Sequence, residues 1–308
     1  MNKTIDFAKL SGSGNDFICL DNRNSRFDEV LSSPQRAGHF ARVLCCRGMG
    51  VGADGVIFAT GSEIEHAAHL GVRFFEPDGS EADLCGNGTA CFARWAMDNR
   101  WIDDSQIKIL TSAGVVIGKP SDNGYMRVCI PLPEDARMDL DVVAGGATWK
   151  CDYIVTGVPH LVTYVPDVEA VDVARDGLAL RRSERFAPRG VNADFVEVLG
   201  EGELALRTFE YGVEGETLAC GTGSAAAAIL AARRFGWGRD YLTGEKPIRV
   251  RVRSGDVLRI YLGIDDGGEI TDLCLETVVR FLYHGTVHGD LAERALQAPP
   301  IPATQVRR

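Results

Sequence analysis

Short runs in which apolar and polar residues alternate, or in which β-branched residues cluster, recur along the whole chain and predict strands. They are Thr4–Leu10, Phe17–Asp21, His69–Phe75, Ile107–Thr111, Val115–Ile117, Tyr125–Ile130, Ala147–Val155, Ala193–Val198, Leu204–Glu210, Ile248–Val252, Val257–Leu262 and Thr277–His284. Helical periodicity is scarcer. Ser33-Pro34 reads as an N-cap followed by proline at the first helical position, opening a helix to about Cys46. Two more helices, Gly88–Asn99 and Thr222–Arg234, each follow a Cys-Gly-x-Gly turn, and short helical stretches are predicted at Val168–Arg175 and Gly177–Arg185. Many strands with few helices place the chain in the α+β class. The turn-rich segment GKPSDNG, Gly118–Gly124, divides it into two expected domains, 1–118 and 119–274. The polar, Pro-rich end, Gln297–Arg308, is expected to be poorly ordered, within a flexible tail over 289–308.

The two halves share more than their element content. Phe75-Glu76 leads through a Gly and a Glu to Cys85-Gly86-Asn87-Gly88, and Phe209-Glu210 leads likewise to Cys220-Gly221-Thr222-Gly223. Glycines before a helix let a ligand approach the backbone. The unpaired N–H groups of a helix's first turn, with its macrodipole, attract a carboxylate or phosphate. Gly86, Asn87, Gly88, Gly221 and Thr222 are therefore candidates for holding a ligand. A cysteine at such a point is expected to favour its thiolate. Two such turns facing each other would put one sulfur on each side of a carbon next to a bound carboxylate. One sulfur then acts as base and the other as acid, moving a proton from one face to the other.

Bulk composition narrows the field without changing this picture. The chain has 308 residues, 45% hydrophobic and 25% charged, as in an ordinary soluble globular protein. Its net charge of -10 argues against nucleic acid or an anionic membrane as the main partner. Met1–Gly14 lacks the apolar core of a signal peptide, so a cytoplasmic enzyme is expected. The nine cysteines are then expected to be free thiols. Cys19, Cys129, Cys151 and Cys274 sit in strand-like apolar runs and read as core, and Cys45-Cys46 as adjacent residues on a helix.

Six segments in order resemble the diaminopimelate epimerase family of PLP-independent amino-acid epimerases and racemases. They are KLSGSGNDF (Lys9–Phe17), GMGVGADGV (Gly48–Val56), EPDGSEADLCGNG (Glu76–Gly88), TGVPH (Thr156–His160), GVNADFVEV (Gly190–Val198) and EYGVEGETLACGTG (Glu210–Gly223). The resemblance implies two similar barrel-like domains, each a sheet around a central helix, with the active site in the cleft between them. It implies that a last strand, about 275–288, returns to the first domain. It names Cys85 and Cys220 as the catalytic bases, His160 and Glu210 as their polar partners, and Asn15 and Asn192 as substrate-binding residues. It implies no metal, no organic cofactor, and a homodimer by analogy. The implied reaction is conversion of L,L- to meso-diaminopimelate in lysine and cell-wall biosynthesis. Read alone, His160 is a hydrogen-bonded structural histidine, Glu210 a strand-end charge and Asn15 a turn former.

Three positions depart from the family pattern. Glu76 and Val158 stand where the family usually has Asn, and Tyr211 where it has Arg. In the family these positions help hold the distal carboxylate and ammonium of diaminopimelate, and Arg is the group suited to a bidentate carboxylate contact. Two readings follow. Either the distal end has been retuned for a basic amino acid such as lysine, ornithine, arginine or histidine, or diaminopimelate is still bound through a compensating group such as Arg73 or Arg207. Proline or hydroxyproline racemases, phenazine-type isomerases and a non-catalytic amino-acid-binding protein are the competing classes. The cysteine pair argues against the last two.

Overall fold

The alternating apolar runs pair into a single hydrogen-bonded sheet that wraps twice, in a computed structural model describing residues 4–61, 67–265 and 267–297. The first half contains β1 (Ile5–Gly12), β2 (Asn15–Asp21), β3 (Gly55–Thr60), β4 (Leu70–Phe75), β5 (Glu81–Ala82), β6 (Ile107–Thr111), β7 (Gly114–Pro120) and β8 (Tyr125–Cys129). The second contains β9 (Glu134–Ala144), β10 (Ala147–Thr156), β11 (Val158–Tyr164), β12 (Asn192–Gly200), β13 (Glu203–Glu210), β14 (Gly215–Glu216), β15 (Ile248–Arg251), β16 (Val257–Ile264) and β17 (Ile270–Val287). Strands β1, β2, β3, β4, β6, β7, β8 and β17 pair in that order, and β17 pairs back onto β1, closing a ring. Strands β9 to β13, then β15, β16 and β17, pair in series around the other half. The architecture is α+β with two barrel-like halves, and both draw on β17.

The sequence near-repeat is a repeat of topology. In the first half β2 lies parallel to β3, and β4 parallel to β6. In the second, β11 lies parallel to β12, and β13 parallel to β15. A parallel pair requires a crossover. From β4 to β6 that crossover includes the helix Gly86–Asp98, and from β13 to β15 it includes the helix Gly221–Phe235. The first helix packs against β1, β2, β3, β6, β7, β8 and β17, and the second against β10 to β13 and β15 to β17. Each therefore runs inside its strand ring. A helix is ~10–12 Å across with its side chains. Small residues keep it narrow enough to be enclosed, and the run AAAAILAA, Ala225–Ala232, is buried throughout.

Other elements cover the outside. The helix Pro34–Cys45 begins as expected, with Ser33 Oγ accepting from Arg36 N at 3.3 Å, and Cys46 lies just past its end. It packs with Phe27, Phe58 and Phe75 in an outer core. Among the described residues, no helix is long and apolar enough to cross a membrane.

Several expectations are corrected. Cys129 and Cys274 are not free thiols: they face each other in register on antiparallel β8 and β17 and form a disulfide, with Cα atoms 3.9 Å apart. Gly118–Gly124, expected to join the domains, turns between β7 and β8 within the first ring, and the chain crosses after Cys129. Gly289–Leu296, expected in the tail, is a helix burying Ala292 and Ala295 against the helix Pro34–Cys45. The rest of the expected tail, 298–308, lies outside the described residues. Val168–Arg175 is not the helix expected: a π-helical turn spans Val173–Gly177, and an α-helix only Leu178–Arg181.

Candidate active site

Each Cys-Gly-x-Gly starts one of the enclosed helices. Cys85 and Cys220 keep extended backbones, and their sulfurs accept from the N–H groups of Gly88 at 3.4 Å and Gly223 at 3.3 Å. Sulfur thus occupies the N-cap role that a serine or aspartate oxygen commonly fills. The glycines are required by space. A Cβ on Gly86 would lie 2.6 Å from Leu275 Cδ2, and one on Gly223 would lie 2.7 Å from Asp194 Oδ1. The two helix starts meet, since a Cβ on Gly221 would stand 3.5 Å from Asn87 Oδ1. Among the described residues that oxygen is buried with no hydrogen-bond partner, an acceptor left open beside both helix starts.

Cys85 and Cys220 line one cavity of about 630 Å³ between the halves. Asn15, Glu76, Gly86, Asn87 and, from the second half, Val158, Asn192, Glu210, Tyr211, Gly221 and Thr222 line it too. Of the residues expected at the site, Gly88 and His160 do not. Gly88 is buried in the helix, and its N–H serves Cys85. His160 lies wholly buried behind the cavity wall. Its Nδ1 is 2.7 Å from Asp194 Oδ2, and its Nε2 is 3.0 Å from Thr222 Oγ1. Asp194 also accepts from Thr208 Oγ1 at 2.7 Å, and Thr222 Oγ1 lies 3.5 Å from Cys220 Sγ. Thr222 thus links His160 to Cys220. The hairpin turn at Gly157, with Thr156 opposite Val158, aims His160 inward.

The family-like segments interlock beneath these residues. Asn15 donates to Asp54 Oδ2 at 3.2 Å, and its Oδ1 lies 4.0 Å from Cys85 Sγ. Arg47 bridges Asp16 and Asp54, and buried Lys9 pairs with Asp16. Asn192 is engaged at both ends, accepting from Tyr211 N at 2.7 Å and lying 3.4 Å from His160 Nε2. Thr217 donates to Glu210, which also hydrogen-bonds Cys220.

Electrostatics overturns one expectation. Helix starts were expected to favour the thiolates, yet both thiols are pushed well above their ordinary range. Burial is the main cause for each. Glu76 adds to it at Cys85, and Glu210 and Asp194 add to it at Cys220, outweighing the helix N–H groups. Burial, then Glu210, Asp78 and Asp54, push the Glu76 carboxyl up to about 8. Burial also raises Glu210, against its bonds to Thr217 and Cys220.

Neither compensating arginine expected from the sequence is free. Arg73 forms a fork with Glu81 at 2.6 and 2.7 Å, and Arg207 forms one with Glu216 at 2.6 and 2.8 Å. Sequence reasoning missed Arg189, Glu134 and Asp83, which line the cavity, and Asp194 and Thr208, which support His160. Arg189 directly precedes the recognised segment Gly190–Val198, and nearness was its only signal. Among the described residues, one cluster of metal-ligating atoms occurs, at Cys129, Asp272 and Cys274. Its two sulfurs are bonded to each other, and none of the three lines the cavity.

Comparison with known proteins adds a family to this geometry. Solved structures share the fold: a hydroxyproline epimerase of Agrobacterium vitis matches at TM-score 0.72 and 13% identity, covering 93% of each chain. A PhzF-family phenazine biosynthesis protein of Bacillus anthracis matches at TM-score 0.70 and 17% identity, covering 92% of this chain and 99% of its own. Sequence likeness is closer elsewhere. The diaminopimelate epimerase of Aquifex aeolicus is 36% identical over 298 residues, 94% of this chain and all of its own length. That of Hydrogenobaculum sp. is 38% identical, over 84% of this chain and 91% of its own. The family model for diaminopimelate epimerase matches residues 7–128 and 153–267, so the chain belongs to the diaminopimelate epimerase family.

Proposed function

We propose that this protein is an isomerase that inverts the Cα centre of diaminopimelate, L,L to meso, without a cofactor, using Cys85 and Cys220 as paired acid and base. The observation that carries this reading is the pair of cysteines, each capping an enclosed helix and both lining one cavity. A substrate carboxylate against the N–H groups of the two helix starts has its growing negative charge stabilised as the Cα proton leaves. The proton moves from Cα to one sulfur as a thiolate, and the other sulfur gives its proton to the opposite face. The two sulfurs end with their protonation states exchanged, and the reverse reaction uses them in the opposite order.

The acids around the sulfurs give the substrate a part in its own activation. Glu76 raises the Cys85 thiol and Glu210 the Cys220 thiol. A substrate ammonium near either carboxylate offsets that charge and favours thiolate formation. His160 and Glu210 act as positioning residues, His160 through Thr222 and Glu210 through its bond to Cys220. A basic amino acid as substrate is not favoured, because the relatives similar over most of the chain are diaminopimelate epimerases. Cytoplasmic location and a homodimer belong to the same proposal and rest on the family resemblance.

Exchange of the Cα proton in heavy water, followed by NMR with reductant present, tests it. Wild type is expected to exchange and epimerise diaminopimelate, and Cys85→Ala and Cys220→Ala to lose epimerisation by several orders of magnitude. Epimerisation surviving either substitution would sink the two-cysteine mechanism.

A further inference from the structure

We propose that Arg189 binds the distal carboxylate of the substrate, and that Glu76, from the opposite half, receives its distal ammonium. The inference rests on the reading of this site as a diaminopimelate epimerase. It answers what replaces the arginine fork that position 211 lacks.

The cavity's charges single out Arg189. Glu76, Glu81, Asp83, Glu134 and Glu210 line it, and Arg189 is the only cation among its described lining residues. A ligand with two carboxylates entering a wall of acids needs a counter-charge, and nearby arginines are already engaged. Arg73 is held by Glu81, and Arg207 by Glu216. Arg181 pairs with Glu214 at 2.8 Å and covers the Tyr211 ring at 4.4 Å from its centroid. Tyr211 therefore hands no charge to the cavity, and it screens the arginine behind it. By contrast, the Arg189 guanidinium has neither hydrogen bond nor ion pair among the described residues. Its backbone is fixed instead: its carbonyl accepts from Arg181 Nη1 at 3.1 Å, and Gly190 follows at φ 79°.

Glu76 is the complement. It directly follows β4, and its backbone N–H is held by Ser80 O at 2.8 Å and its carbonyl by Gly79 N at 2.9 Å. Its carboxylate has no hydrogen-bond partner among the described residues and lines the cavity beside other acids. A carboxylate in that position is stabilised by a ligand cation. Arg189 and Glu76 come from different halves, so a ligand with both distal groups bridges them. Loss of either group leaves one partner unpaired and selects against shorter or singly charged amino acids.

The test uses Arg189→Ala and Arg189→Lys in the full chain, with three ligands. Diaminopimelate has both distal groups, 2-aminopimelate has only the distal carboxylate, and lysine only the distal ammonium. Arg189→Ala is expected to weaken binding of diaminopimelate and 2-aminopimelate by about 10–100-fold, the range of a charge-assisted contact. It should leave lysine binding within about twofold, and Arg189→Lys should recover part of the loss. In turnover the loss should fall mainly in KM. Arg189 is exposed, so the variants are expected to melt like wild type. Unchanged diaminopimelate binding in Arg189→Ala, or an equal loss for lysine, overturns the inference while the epimerase reading stands. Wild type that exchanges no Cα proton of diaminopimelate overturns the reading, and the inference with it.

Discussion

Glu76 has two measurable consequences apart from the ligand. A carboxyl raised to about 8 in the folded protein, but near its ordinary value of 4.5 when unfolded, binds more protons folded than unfolded between those values. Its contribution to stability is therefore complete below about 4.5 and lost as pH rises toward about 8. Glu76→Gln removes that dependence. Its melting temperature relative to wild type should climb across this window, and a constant offset would contradict the assigned shift. Above about 8 the Glu76 anion also raises the Cys85 thiol, so the pH profile for alkylation of Cys85 should move to lower pH in Glu76→Gln. At this scale the sequence made part of the site visible. Two cysteines in matching Cys-Gly-x-Gly turns declare themselves, and Asn15, His160, Asn192 and Glu210 follow from family resemblance. The elevated thiols were not visible, because burial depends on how the halves close. Neither was the chain His160–Asp194–Thr208, whose members lie far apart along the sequence and meet only when β11, β12 and β13 align.

The enclosed helices show how sequence and packing agree at the scale of an element. Alanine is the strongest helix former and also the smallest side chain a helix can present to an enclosing ring. One choice meets both needs in Ala225–Ala232. Overfilling this space should be costly. Ala227→Leu, at a position with no exposure, is expected to destabilise by about 1–3 kcal/mol in denaturant unfolding. A neutral result would mean that the second ring has slack. Most strands with strong alternation were read within a residue or two, although β17 begins at Ile270, well before its reading at Thr277. Five strands were missed: β5 and β14, of two residues each, and three longer ones for separate reasons. Glu134–Ala144 is rich in charge, with Asp135 and Asp139 at positive φ interrupting its register. Val158–Tyr164 carries a proline at its second position, which marks it as a turn. Gly55–Thr60 sits inside a glycine-rich segment that reads as a loop.

At the scale of the whole molecule, the near-repeat foretold two similar halves, while the boundary between them was misjudged. Gly118–Gly124 has the composition of a linker but serves a hairpin, because turn residues mark a change of direction whether or not a domain ends there. The pairing of Cys129 with Cys274 was equally hidden, since their separation of 145 positions is bridged only by the register of β8 on β17.

That last strand also sets an order of events during synthesis. The first ring needs β17 between β8 and β1, yet β8 ends at Cys129 and β17 at Val287. At about 5–20 residues per second, a nascent chain waits roughly 8–30 s between emergence of β8 and of the strand that closes its ring. During that interval the edges of β1 and β8 are open to any extended chain. A chain truncated after residue 260 should therefore be cut readily by protease at sites in its first half that the full chain protects. Protection in the truncated chain would mean that the first half closes by another route. The amino terminus thus finishes folding last, waiting on the final strand to be made.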